Sequence, residues 1–288
     1  MNGGRIGVFD SGFGGLTVLR SLREVLPELD YLYLGDSART PYGTRGFDVV
    51  HQFTLEAVEM LFDAGCPLIV LACNTASSRA LRTIQQQHLP AHRPDRRVLG
   101  VVRPSVEALA GLPPGALPGV TVPSMAEGVV AILGTQGTVA SDSYRIELAH
   151  LAPGLRLLQQ ACPMWVPLVE SGETVGAGPD WFLHRYLDPL LDRPQPPDRI
   201  LLACTHYPVL MPGIRQIVPP GIEVLSQGPI VAGRLHDWLI RHPEMDERLS
   251  RGGGCEFWTT DDSSRFDELG GRLMGQSIRS TKVHIPCG

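Results

Sequence analysis

Two cysteines stand in the same local sequence. Leu-Ala-Cys occurs at 71–73, followed by Asn74 and Thr75, and again at 202–204, followed by Thr205 and His206. Each triplet closes an unbroken apolar run of strand length, residues 68–72 and 200–203, and Asn74, Thr75 and Ser77 are of the types that begin helices. A thiol placed there lies at the carboxyl end of a buried strand. In open parallel sheets ligands bind at that edge, and the N–H groups and partial positive charge of the following helix favour thiolate over thiol. A lone cysteine beside a strand is ordinarily a buried structural thiol. The second copy, nearly half a chain later, changes that reading. It suggests two similar halves, each offering one sulfur to a shared cleft, as a chemistry needing one thiol on each face of its substrate would require.

The rest of the chain must supply the frame. Its 288 residues are enough for about two domains, and 43% hydrophobic residues suffice for real cores. A net charge of −5 with scattered arginines and no basic block argues against nucleic acid or an anionic membrane as partner and favours a small ligand. The first residues lack the basic and apolar regions of a signal peptide, and no apolar run approaches a membrane span, so a cytoplasmic protein is expected. The six cysteines, at 66, 73, 162, 204, 255 and 287, show no C-x-x-C spacing and are too sparse for a disulfide scaffold. Cys204 and His206 are the one close Cys/His pair, too few ligands for zinc, and no metal site is expected.

Taken in order, residues 5–9 form a strand that runs into Asp10, Ser11 and a glycine loop, after which Leu16, Leu19, Leu22 and Leu26 recur at helical spacing. The loop lacks the third glycine of a dinucleotide fingerprint, and Asp10 would repel a phosphate. Asp10 and Ser11 could meet a zwitterionic ligand at the strand's mouth, or Asp10 could merely cap the next helix. A strand at 30–34 leads to a Gly/Asp/Ser/Pro loop in which Tyr42-Gly43 could offer a backbone N–H to a carboxylate; Asp36 and Arg39 read as a solvated pair. Residues 44–64 make an amphipathic helix ended by Gly65. A polar, proline-bearing stretch at 88–97 is the first candidate boundary, and 111–123 reads as a Pro/Gly loop. Strand 128–133, a small-residue loop and helix 142–151 repeat the opening device. The run 162–170 is apolar but too proline-broken for a central element, and Glu170 closes it as a helix cap or an active-site acid. Strands at 155–159, 222–225 and 256–260 and helices at 180–191, 230–241 and 264–274 complete an alternating pattern. That pattern argues an α/β fold with largely parallel sheets.

Five blocks of this sequence, at 8–19, 33–43, 72–76, 162–170 and 203–208, resemble the glutamate racemases of the aspartate/glutamate racemase family, in the same order and over almost the whole chain. The resemblance implies a cofactor-independent racemase interconverting L- and D-glutamate, the latter for peptidoglycan. Cys73 would take the proton from D-glutamate and Cys204 from L-glutamate, with Asp10, Glu170 and His206 assisting. Asp10, Ser11, Tyr42, Gly43, Asn74, Thr75, Thr138, Thr205 and His206 would hold the substrate. It also implies two pseudo-symmetric α/β domains with the active site in the cleft between them, the first formed by residues 1–97 and 209–288 and the second by 98–208. Pairing into a homodimer is left open. Arg103 and the long stretch 111–127 depart from the family pattern without touching a matched position.

The chemistry stands apart from the family name. Inverting an α-carbon without a cofactor means removing a weakly acidic proton from one face and returning one to the other. One sulfur must be thiolate and the other thiol, a mixture that a free thiol pKa of about 8.5 makes accessible. A racemase of aspartate or a related acid, or a two-lobed amino-acid binding protein without activity, are the alternatives. The binding protein leaves the matched cysteines unexplained.

Overall fold

The computed structural model describes residues 3–112 and 127–286, so most of the loop expected at 111–123 lies outside the described residues. The apolar runs become strands: β1 (Ile6–Asp10), β2 (Tyr31–Gly35), β3 (Leu68–Leu71), β4 (Arg97–Gly100), β5 (Gly128–Gly134), β6 (Leu155–Ala161), β7 (Arg199–Ala203), β8 (Glu223–Ser226), β9 (Cys255–Thr259) and β10 (Ser280–Lys282). They form two sheets, ordered β10-β9-β2-β1-β3-β4 and β6-β5-β7-β8, and every pairing within them is parallel. The expected α/β class with parallel sheets is therefore present.

The two orders contain the same unit. β2-β1-β3-β4 in the first sheet corresponds strand for strand to β6-β5-β7-β8 in the second. In each copy the chain runs outward on one side of the first strand and then returns to the other side. This leaves a switch point between β1 and β3, and another between β5 and β7, where the loops diverge and a crevice opens at the carboxyl ends. Cys73 follows β3 and Cys204 follows β7, so each cysteine borders its own sheet's crevice.

Strands buried on both faces explain the continuous apolar runs. In the first sheet Leu68 and Val70 face one core, while Ile69, Leu71 and, in phase with them, Cys73 face the other. In the second, Leu201 and Ala203 face one core, while Ile200, Leu202 and Cys204 face the other. The repeated triplet thus places both sulfurs at the same phase of the pleat, just past equivalent strands, Cys73 two residues after β3 and Cys204 one after β7.

The sheets change over later than the expected domain boundaries. β4 pairs with β3, so the chain leaves the first sheet after residue 100 and crosses by helix Val102–Leu109. β8 pairs with β7, so it returns only after residue 226, by helix Gln227–Arg241. Three local features go beyond what the sequence pattern announced. The stretch after Gln85 stays helical as far as His92, with Pro90 tolerated in the first turn of the segment Leu89–His92. The proline-broken run at 162–170 contains helix Trp165–Ser171, for the same reason: Pro167 lies in its first turn. β10 was not expected, because Ser280, Thr281 and Lys282 form a short polar edge strand with no hydrophobic alternation to announce it. Among the described residues no helix is long and apolar enough to cross a membrane.

Candidate active site

The loops at the carboxyl ends of both sheets enclose a cavity of about 480 Å³ lined by Cys73 and Cys204 together. Each cysteine is 6% exposed, open to the cavity and otherwise dry. From the first sheet's side come Ser11 after β1, Tyr42 and Gly43 after β2, and Asn74 and Thr75 after β3. From the second come Thr135 after β5, Cys162 and Glu170 after β6, and Thr205 and His206 after β7. The two sides correspond loop by loop. A larger cavity of about 830 Å³, beside Arg103 and Arg234, holds neither cysteine and lies apart from this chemistry.

Around Cys73 the charge is negative and buried. Its thiol lies 3.4 Å from Ser11 Oγ, within reach to donate to it. Burial pushes the thiol up to about 12, and the charge of Asp10 adds to the effect, against the Ser11 hydroxyl and the Ala76 N–H. Asp10 is fully buried and does not line the cavity. Its carboxylate accepts from the Gly12 N–H at 3.0 Å and from the Thr205 hydroxyl at 3.3 Å. Burial holds the Asp10 carboxyl above its usual range, although His206 and those donors pull it down. The expectation that Asp10 meets the ligand directly is not what the geometry gives; it stands behind Ser11 as a buried acid. Nor does it cap the next helix, which starts at Leu16 with no side-chain cap.

Around Cys204 the charge is positive. His206 Nδ1 lies 3.9 Å from the sulfur, and Nε2 lies 3.3 Å from Glu170 Oε1, an ion-pair distance off the hydrogen-bonding line. Burial disfavours the imidazolium, but the neighbouring sulfur and carboxylate outweigh it and push His206 up to about 10. Glu170 is one residue from the end of helix Trp165–Ser171 and lines the cavity.

Two seams draw the lobes together on either side of the sulfurs, and glycine makes each possible. A Cβ on Gly14 would stand 2.5 Å from both His206 Nδ1 and Thr205 Oγ1. Thr17 Oγ1 crosses the same seam to donate to Thr205 O at 3.1 Å. A Cβ on Gly43 would stand 2.8 Å from Thr135 Cβ, and the Gly137 N–H donates to Gly43 O at 2.8 Å.

Thr138, expected to hold substrate, is fully buried and does not line the cavity. Thr135 does so instead: as the cap of helix Gln136–Ala140 it accepts from the Thr138 N–H, which puts Thr138 one turn inside. Its hydroxyl lies 3.0 Å from that of Thr75 across the seam. Asp36 and Arg39 are not a solvated pair. Asp36 is fully buried, accepts from Arg39 Nε at 2.6 Å, from Thr260 at 2.9 Å and from the Tyr42 hydroxyl, and so braces the loop that carries Tyr42 and Gly43. Arg103 pairs with Glu107 and Glu147, away from the sulfurs. Among the described residues no group of three or more His, Cys, Asp or Glu side chains could hold a metal ion. Cys162, the first residue of the matched block 162–170, and Arg265, near a helix start, also line the cavity, and neither was expected at the site.

The family model described as Asp/Glu/Hydantoin racemase matches residues 6–233. A glutamate racemase of Paracoccus denitrificans is 39% identical over 95% of this chain and 98% of its own length. Among solved structures, a glutamate racemase isoform from Bacillus anthracis is 30% identical, with a TM-score of 0.85 over 100% of both chains. The glutamate racemase of Francisella tularensis, solved in complex with D-glutamate, is 25% identical, with a TM-score of 0.83 over 99% of both chains.

Two outcomes are expected. Gly14→Ala forces a methyl into His206 and Thr205, so the seam must open; turnover should fall at least tenfold while the melting temperature moves by only a few degrees, measured by activity assay and thermal unfolding. His206 has a folded pKa near 10 against an ordinary 6.5, so the stability it contributes is fully present below about pH 6.5 and lost as pH rises through 10. The melting-temperature gap between the wild type and His206→Gln should be widest near pH 6 and close towards pH 10. A gap that is flat or widens with pH would contradict the charged assignment.

Proposed function

The chain belongs to the Asp/Glu/hydantoin racemase family and is an amino-acid racemase; from that premise we propose that it interconverts L- and D-glutamate without a cofactor, with Cys73 and Cys204 as acid and base. The observation that carries this reading is that two cysteines at equivalent strand ends line one cavity with room for an amino acid. The D-glutamate complex of the Francisella relative supports the choice of substrate.

One sulfur, as thiolate, takes the α-proton, and the other, as thiol, delivers its own proton to the opposite face. The configuration inverts, the substrate is neither oxidised nor reduced, and the two sulfurs have exchanged protonation states. A proton must then pass between them or through their neighbours before the same enantiomer can react again. Asp10 behind Cys73, and His206 with Glu170 beside Cys204, are the groups placed to carry it. Cys73 serves the D enantiomer and Cys204 the L, as the family resemblance implies.

The carbanion formed between the two transfers needs its charge spread and held. Backbone N–H groups at the Cys73 and Cys204 turns, with the hydroxyls of Ser11 and Thr75, suit a carboxylate on which that charge develops. The seams at Gly14 and Gly43 keep bulk water from quenching it. Tyr42 and Gly43 close the same wall, and their N–H groups extend the donor set. D-Glutamate made here would supply peptidoglycan synthesis, with the enzyme acting in the cytoplasm.

Replacing either cysteine leaves one acid/base group that can touch one enantiomer but cannot complete inversion. Racemisation should fall about a thousandfold or more in Cys73→Ala and in Cys204→Ala, and the double variant should be little worse than either, since residues that act as a unit fail together. Each change removes little volume, so melting should shift by a few degrees, for a loss of about 1 kcal/mol. Cys255→Ala, on β9 away from both junctions, is the control and should be active. Circular dichroism of L-glutamate incubated with each protein reads the result. A dispensable junction cysteine, or an inactive Cys255→Ala, would overturn the two-thiol mechanism.

A further inference from the structure

Behind the cavity wall, four side chains from four elements close a hydrogen-bonded network on Asn74, the residue after Cys73. Asn74 Nδ2 donates to Gln227 Oε1, and Gln227 Nε2 donates back to Asn74 Oδ1 at 3.1 Å, a reciprocal amide pair. The Tyr144 hydroxyl donates to the same Asn74 Oδ1 at 2.6 Å. Gln227 Nε2 also lies 2.8 Å from Ser105 Oγ and 3.0 Å from the Tyr144 oxygen. Ser105 gives its own proton to Val101 O at 2.6 Å, so its oxygen is free to accept. All four side chains are at most 2% exposed. Of the four, only Asn74 lines the cavity.

The places these residues come from matter. Ser105 lies on the helix that carries the chain out of the first sheet, and Gln227 begins the helix that carries it back. Tyr144 belongs to helix Ser143–Leu151, packed on the second sheet. The network therefore ties both crossovers and the second lobe to the turn bearing Cys73.

Counting donors and acceptors fixes how Asn74 is turned. A carboxamide oxygen accepts two hydrogen bonds, and both are used, by Tyr144 and Gln227. The nitrogen has two protons, and one goes to Gln227. What remains for the cavity is one N–H. A ligand carboxylate needs that donor; the flipped amide would present a carbonyl and repel it.

We propose that Gln227 and Tyr144 are positioning residues that hold the Asn74 carboxamide so that an N–H, not the carbonyl, meets a carboxylate of the substrate. The proposal rests on reading the cavity as the glutamate site. Gln227→Met keeps the volume and removes the amide; Tyr144→Phe removes one hydroxyl. Gln227→Met should raise KM for glutamate about tenfold, the effect of losing one hydrogen bond to a charged group, with kcat within about threefold. Tyr144→Phe should move KM in the same direction by less, and it keeps the test open if Gln227→Met folds poorly. On an Asn74→Ala background neither change should raise KM further, whereas a merely structural role would add in full. An unchanged KM in both variants, or full additivity, overturns the proposal. A second readout needs no turnover: nitrogen-15 NMR of the Asn74 side-chain amide, assigned with Asn74→Ala, should show slow solvent exchange that is lost in Gln227→Met. Fast exchange in the wild type overturns the network itself, while a wild type that leaves glutamate unchanged overturns only the functional reading.

Discussion

The site depends on how closely two lobes can approach without a side chain between them. The loop after β1 meets the turn after β7 at Gly14, and the loop after β2 meets the loop after β5 at Gly43, and in each case a single Cβ would collide with the opposite lobe. These contacts set the gap in which both sulfurs face one cavity. Were the lobes a few ångströms further apart, water would fill the cleft, the field of the buried groups would weaken, and the pKa shifts at Cys73 and His206 would shrink with it. Small residues in the loops are thus part of the electrostatics as well as of the backbone geometry.

Much of this was legible in the sequence, because the strands are buried on both faces and so read as uninterrupted apolar runs. The repeated Leu-Ala-Cys predicted equivalent junctions, and the sheets carry them at the same phase of the pleat. What stayed hidden depends on contacts between distant segments. Thr135 and Thr138 differ by one turn of helix, and no local pattern says which faces the cleft. Asp36 and Arg39 look like a surface pair until Tyr42 and Thr260 are seen to close over the carboxylate. Gln227 opens a helix in an unremarkable sequence, and its partners at 74, 105 and 144 come from three other elements. Strand register across a crossover was equally silent: β4 and β8 are short, and nothing in either run says which sheet it joins.

The two copies of the unit have kept their topology and diverged in charge. Beside Cys73 the nearest ionisable partner is a buried carboxyl; beside Cys204 it is an imidazole backed by a carboxylate. A substrate with a mirror plane through its reacting carbon would ask for identical halves. Glutamate has none: its ammonium, two carboxylates and side chain occupy different positions once bound, so the field it imposes on the two sulfurs differs. In the proposed mechanism an uneven protein field can offset that uneven ligand field.

That argument also explains why the acid near Cys73 is buried while the acid near Cys204 is not. Asp10 is sealed under Ser11, where burial itself holds its carboxyl above the usual range. Glu170 is partly open, with 23% of its side chain exposed, and lies 3.3 Å from His206 Nε2. A buried acid can tune its neighbour by changing charge; a partly solvated one can exchange protons with water. In the proposed reaction the two thiols end each turnover in swapped states, which would call on both functions. The Thr205 hydroxyl, reaching from the Cys204 turn to Asp10, links the two sides of the cavity.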